Sequence, residues 1–199
     1  MQPQSKATAS AYRSLIEQSG DRLTALRQQM DFINTIGKRF VAAIDRFQVH
    51  RALLATLQEL YHFSACSILL EGDPIELTFE LSIIPSHPLS EAFISAMMER
   101  IARAADVIDF LSVTPDELAL LAYLDAPDDL ARSATSTPGE VTDIGDFLNI
   151  PLTVENRIIG MLSLFDEREG AFDAELLQLT TMIADYAAVA LENVRLRER

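Results

Sequence analysis

The side chains able to do chemistry in this chain are few and scattered. Its one cysteine, Cys66, stands between Ala65 and Ser67 in a run of β-type residues. A reactive thiolate needs an electropositive, partly exposed surrounding, and no basic residue lies near Cys66 in sequence, so an inert buried thiol is the expectation. A single thiol also excludes an intramolecular disulfide and any multi-cysteine zinc or iron–sulfur site. The three histidines, His50, His62 and His87, fall in different elements and lack the paired spacing of a metal site. Asp128-Asp129 and the carboxylates from Asp143 to Asp146 lack the spaced oxygen ligands and closing glutamate of an EF-hand loop. No glycine-rich phosphate loop, nucleophile elbow or HExxH motif occurs. The expectation is a chain with no catalytic residue, no metal site and no cofactor.

Composition narrows the partners. Thirty acidic residues against 16 basic ones give a formal charge of −14, which repels the phosphate backbone that dominates nucleic-acid affinity and the anionic lipid surface. No apolar run in the sequence approaches the roughly 20 residues of a membrane-spanning helix, and Met1 to Ser10 lacks the apolar core of a secretory signal. A soluble, cytoplasmic protein without nucleic-acid or membrane partners is expected. With 199 residues, 49% of them hydrophobic, one good core is affordable and two are not.

The elements that must position these residues follow from periodicity and punctuation. Residues 1–20 read as a polar N-terminal tail. From 21 to 48, Leu23, Leu26, Met30, Ile33, Gly37, Phe40, Ile44 and Phe47 recur at alternating spacings of three and four, the a/d seam of a coiled-coil helix, interrupted only by Gly37. A dimer seam through Leu23, Leu26, Met30, Ile33, Phe40 and Ile44 is expected; packing of the same stripe on the chain's own domain is the alternative. Residues 49–199 form the domain proper. A helix over Val49–Phe63 precedes a hairpin of Ala65–Leu70 and Ile75–Ile84, turned at Glu71-Gly-Asp-Pro74. Pro85 and Pro88 stop the second strand before a helix over Leu89–Ala105. Val107–Val113 reads as a short strand. Thr114 reads as N-cap of a helix that has Pro115 at its first position and runs to about Leu124. Asp125–Gly145 is a long polar loop. A second hairpin, Phe147–Val154 and Ile158–Phe165, turns at Glu155-Asn-Arg157, where Asn156 best tolerates a left-handed conformation. Pro151 requires its strand to be an edge or irregular. The final helix opens with Asp173 as N-cap and Phe172 set for a hydrophobic staple on Leu177, and it continues to Arg199.

The succession of helix, hairpin, helices, loop, hairpin and long helix specifies an α+β domain. Within it, Leu148-Asn-Ile-Pro-Leu152, Asn156-Arg-Ile-Ile-Gly-Met-Leu-Ser-Leu164, Phe172-Asp-Ala-Glu-Leu-Leu177 and Ala187-Ala-Val-Ala-Leu-Glu-Asn-Val-Arg-Leu196 closely resemble the C-terminal half of GAF domains. Val49 to Ile84 agrees with the family in element order, and residues 86–146 in length and position alone. The resemblance implies a GAF/PAS-like central antiparallel sheet with helices on both faces and long N- and C-terminal helices. It also implies a small-molecule pocket on the face away from the terminal helices, and flanking helices that pair across a homodimer.

Two known activities on this fold are disfavoured: reduction of free methionine sulfoxide uses several cysteines, and covalent bilin attachment uses a cysteine with a neighbouring histidine. The motif of cyclic-nucleotide-binding members, of Asn-Lys-x-Asp type, is absent. If a pocket exists, the residues expected to line it are Cys66, Ile68, Phe93, Met97, Phe110, Tyr123, Ile150 and Met161; the alternative is that they form a second hydrophobic core. Two functions stay open. One is a ligand-sensing regulatory module acting on an output domain or kinase partner, and the other is a scaffold whose pocket has closed and which answers to a protein partner. Either the chain belongs to a longer sensor or it acts in trans.

Overall fold

The computed structural model describes residues 31, 33–71, 79–124 and 143–197. The chain divides into two compact units, residues 1–42 and 43–199. In the first, Leu23, Leu26 and Met30 of the expected seam lie outside the described residues; residues 33–42 are helical, with Ile33 half-buried and Phe40 buried. The helix stops there, so the stripe read through Ile44 and Phe47 is not one continuous seam. The reason is Asp45. Its extended backbone (φ −139°, ψ 166°) and its carboxylate, which accepts from the Gln48 backbone N–H at 2.7 Å, start a new helix at Arg46. Ile44 and Phe47 are left 67% and 56% exposed.

The second unit is built on a five-stranded sheet: β1 (Ala65–Glu71), β2 (Phe79–Pro85), β3 (Ala122–Leu124), β4 (Asp146–Val154) and β5 (Arg157–Asp166), in the order β3-β2-β1-β5-β4. The four longer strands pair antiparallel, and β3 joins β2 in parallel. Both central residues of the β4–β5 turn, Glu155 and Asn156, have positive φ (47° and 66°), as the tightest hairpin turn requires. Pro151 lies on β4, the edge strand it was expected to mark, close to a register shift at Leu152/Thr153.

Four helices lie among the described residues of the unit: α1 (Arg46–Leu60), α2 (Glu91–Val107), α3 (Pro115–Leu121) and α4 (Ala174–Arg197). The caps read from sequence are present. Asp173 accepts from the Leu176 N–H at 2.8 Å. Thr114 and Glu117 exchange hydrogen bonds in a capping box, Thr114 N–H to Glu117 Oε2 at 2.9 Å and Glu117 N–H to Thr114 Oγ1 at 3.3 Å. Leu177, expected to pack on Phe172 as a staple, is 43% exposed.

Two stretches differ from expectation. Residues 107–113 are not a strand: α2 runs on to Val107 and closes in a Schellman motif, with Asp109 N–H to Asp106 O (3.0 Å) and Phe110 N–H to Ala105 O (2.9 Å). Asp109 takes the left-handed position (φ 54°) that glycine usually holds, and Phe110, Leu111 and Val113 turn inward onto the core. The helix from Pro115 ends at Leu121, because the next three residues pair with β2.

Strand alternation sorts the interior into two layers. Cys66, Ile68, Ile84, Ile150, Leu152, Leu162 and Leu164 share the face covered by α1 and by the alanine-rich side of α4 (Ile183, Ala184, Ala187, Ala188, Leu191). Ala65, Leu69, Leu81, Ile83, Met161 and Phe165 share the other, where Phe93, Met97, Ile101 and Ala105 of α2 and Leu118 of α3 close the core. The sequence expectation on membrane spans needs one amendment. By length and mean hydropathy (1.2), α4 is long and apolar enough to cross a bilayer. Its alanines raise the hydropathy, and in this fold they lie against the domain's own sheet.

A groove between the second helix and the edge strand

The eight residues expected to line one pocket do not converge. Phe93, Met97, Phe110 and Met161 lie on the α2 face, where Phe93, Met97 and Met161 are at most 1% exposed and fully packed, with Phe110 half-buried at the margin. Cys66, Ile68 and Ile150 lie on the opposite face, beneath α1 and α4, and Tyr123 is in β3. The division is a matter of parity. Residues 65, 67 and 69 of β1 point toward α2, and 66, 68 and 70 point away, so a list containing Cys66 and Ile68 with Phe93 and Met97 mixes two layers. Burial raises the Cys66 thiol to about 12, an inert group as expected.

What the α2 face does assemble is a polar row. Ser67 of β1, Ser163 of β5 and Asn149 of β4 are direct cross-strand neighbours, Ser67↔Ser163 and Asn149↔Ser163, and so point to the same side. Ser67 and Ser163 are 1% and 0% exposed. The hydroxyls of both serines and the Oδ1 of Asn149 are buried without a hydrogen-bond partner among the described residues. Each buried, unmade hydrogen bond costs about 1–3 kcal/mol, so three in one row is a concentrated local penalty.

The row opens at Asn149 into a groove of about 380 Å³ between α2 and the edge of β4. Phe147, Val107 and Ala104 supply its apolar wall, and Glu99, Arg100 and Arg103 its charged rim. The guanidinium of Arg100 lies over the Phe147 ring, 5.3 Å from its centroid, and donates to Ala96 O at 3.2 Å. It has no acidic partner among the described residues, whereas Arg103 has Glu99 at 3.6 Å in a surface pair. Phe147 and Val107 are 45% and 78% exposed, so apolar surface and a cation face the same opening. Sequence reasoning missed these groups because none belongs to a motif. The one available signal was serine or asparagine at inward positions of otherwise apolar strands.

A second hollow, about 390 Å³, sits at the end of the sheet between Tyr61, His62, Ser64, His87, Asp166 and Arg168. Part of its polar lining pairs internally, while Tyr61 Oη and Glu167 Oε1 are buried without a hydrogen-bond partner among the described residues. Arg168 holds Asp166 through Nε (2.8 Å) and Nη2 (2.9 Å) and reaches His62 O (3.0 Å), and His87 lies 3.0 Å from Glu167. Burial by itself raises the Asp166 carboxyl, but the hydrogen bonds and charge of Arg168 outweigh it and hold the group below the usual carboxylate range. Among the described residues no cluster of His, Cys, Asp and Glu is arranged to hold a metal.

Fold and site together define a small α+β domain with helices on both faces of a mostly antiparallel sheet, a groove at one edge, and a long terminal helix on the face away from it. The chain belongs to the GAF domain family, whose model matches residues 45–192. The GAF domain of a phosphoenolpyruvate-protein phosphotransferase from Acinetobacter has the same fold, with 9% identity and a TM-score of 0.51 over 86% of this chain and 97% of that one. So does the GAF domain of the corresponding protein (ptsP) from Coxiella burnetii, with 14% identity and a TM-score of 0.52 over 85% and 95%. The GAF domain of a two-component sensor histidine kinase from Bacillus halodurans is 21% identical, with a TM-score of 0.46 over 79% of this chain and all of that one. No curated protein matches the chain. GAF domains are sensory and regulatory modules of signalling proteins, and as a class they are regulatory rather than catalytic.

Proposed function

We propose that this chain is a cytoplasmic, small-molecule-sensing GAF module that works as a homodimer paired through its flanking helices and passes its state to an output domain or kinase partner. The observation that carries this reading is the double character of α4. One side of the helix packs on the sheet. Along its outer flank Leu179, Met182, Tyr186, Val189, Asn193 and Leu196 recur at spacings of three and four. Of these, Val189 and Leu196 are 52% and 58% exposed. A change at the sheet therefore has a rigid path to a helix surface suited to a second copy.

The C-terminal part of that helix is also tied to the strands by charge. Arg195 reaches Glu71 of β1 at 3.3 Å and Glu192 at 3.4 Å, and Arg157 of the β4–β5 hairpin contacts both acids. Leu23, Leu26, Met30 and Ile33 extend the same pairing on the N-terminal side in this reading.

Sedimentation equilibrium of the full chain tests it. A dimer is expected, converted to monomer by Val189→Glu with Leu196→Glu while circular dichroism stays unchanged; a wild-type monomer up to about 100 μM refutes the helix-paired dimer. A second reading, a scaffold with a closed interior, is favoured by the complete packing of Phe93, Met97 and Met161. It predicts the same dimer and no ligand at the groove.

A further inference from the structure

We infer that the groove between α2 and β4 binds a small aromatic carboxylate bearing a hydrogen-bond donor, with Arg100 taking the carboxylate, Phe147 and Val107 the ring, and Asn149 the donor. The inference deepens the sensing proposal and rests on it.

Each part of the ligand is dictated by a different feature. An anion is called for because Arg100 is half-buried and has no acidic partner among the described residues, in a chain with a formal charge of −14. A guanidinium presents several N–H donors in a fixed planar fork, and among the described residues one hydrogen bond of this fork, to Ala96 O, is made. Carboxylate geometry matches that fork. A flat apolar body is called for because Phe147 and Val107 are exposed side by side with Ala104 on the groove wall, and the Phe147 ring already carries the cation on its face. A donor is called for because Asn149, which lines the groove, carries a buried acceptor, Oδ1, without a hydrogen-bond partner among the described residues. Behind it, Ser163 and Ser67 continue the row, each 1% exposed or less and each lacking a partner among the described residues. A hydroxyl that can both accept and donate would connect Asn149 to Ser163. The same residues speak against a bare inorganic anion, since they would leave the ring surface and the row unfilled.

The probe is 4-hydroxybenzoate, with 4-hydroxybenzamide removing the charge and inorganic phosphate removing the ring. Binding to the full chain is followed by titration of 1H–15N amide shifts. Expected are saturable shifts with 4-hydroxybenzoate that centre on residues 96–107 and 147–150, at least about tenfold weaker binding of the benzamide, and no saturable shifts with phosphate. Arg100→Gln should weaken 4-hydroxybenzoate by about tenfold or more and leave the amide spectrum away from the groove intact. Asn149→Leu keeps the carboxylate contact and should weaken 4-hydroxybenzoate more than benzoate. Equal binding of acid and amide, tighter binding of phosphate, an unchanged Arg100→Gln, or shifts confined to another surface each overturn the inference. So does the absence of any saturable shift up to about 20 mM. None of these outcomes touches the oligomeric test, so a failed ligand class and a failed dimer are separately visible.

Discussion

Replacing Ser163 by alanine should stabilise the unliganded protein, and the size of the gain can be worked out. Ser163 is 0% exposed and its hydroxyl has no partner among the described residues, so folding strips it of water with no hydrogen bond returned by those residues. Removing it recovers about 1–3 kcal/mol of desolvation. The missing oxygen leaves a void of roughly 10–15 Å³, which at about 24 cal/mol per Å³ costs some 0.3 kcal/mol. A net gain of about 1–2 kcal/mol follows, or roughly 3–6 °C in melting temperature for a domain of this size.

Urea unfolding of the full chain, followed by far-UV circular dichroism, measures it, with Ser67→Ala expected to behave alike. Ser64→Ala is the contrasting variant. That hydroxyl is also buried but accepts from the Glu167 N–H at 3.3 Å, so its loss should cost about 1 kcal/mol. The reasoning fails if Ser163→Ala destabilises by about 1 kcal/mol or more, which would mean the hydroxyl has a partner. It fails equally if the Ser67/Ser163 double-mutant cycle shows a favourable coupling above about 0.5 kcal/mol, since the two serines would then be bonded to each other across the strands. A confirmed gain would mean that the domain carries a stability cost at the groove, as expected of residues kept for a ligand.

Three further outcomes are expected. Gly160→Ala should lower stability by about 2–3 kcal/mol in the same urea assay. A Cβ there would sit 2.5 Å from Leu69 O and 2.6 Å from Leu70 Cδ2, and the carbonyl cannot yield without disturbing the β1–β5 ladder; an unchanged midpoint would contradict the packing. Arg168→Ala should move the acid limb of the stability curve. The folded Asp166 carboxyl lies below its unfolded value, so its contribution is complete above the ordinary carboxylate range and is lost as pH falls through the depressed value. Without the guanidinium, burial dominates and the folded value rises above the unfolded one, so the sign reverses: Asp166 stops losing stability as pH falls, and melting scans between about pH 3 and 6 should show a shallower acid decline than in the wild type, from a lower stability at neutral pH. Cys66 should resist iodoacetamide at pH 8 in the folded protein, because a thiol at about 12 is about one part in ten thousand thiolate and is 0% exposed. Stoichiometric labelling within minutes, measured by mass spectrometry, would show an open path to it.

The sequence by itself determined what is decided within a few residues. Asp173 and Thr114 as caps, the Glu155-Asn156 turn and the edge placement of Pro151 were all legible, because caps, left-handed turns and missing N–H groups act locally. Local signals also failed locally. Asp109 in a position that glycine usually marks hid the end of α2 and made residues 107–113 look like a strand, and Asp45, one of the polar residues between the seam positions of a single expected helix over 21–48, is instead the cap that starts a new helix.

Tertiary structure alone decided the site. Cys66 and Ile68 were placed with Phe93 and Met97 because all are apolar, yet a one-residue step along β1 sends a side chain to the other layer. The row of Ser67, Ser163 and Asn149 exists only through the register of three strands far apart in the chain, and Arg100 meets Phe147 only because α2 crosses the edge of β4. Periodicity states that a strand has two faces; which face meets which helix, and which polar groups are thereby left without a partner, is set by long-range pairing that no local pattern encodes.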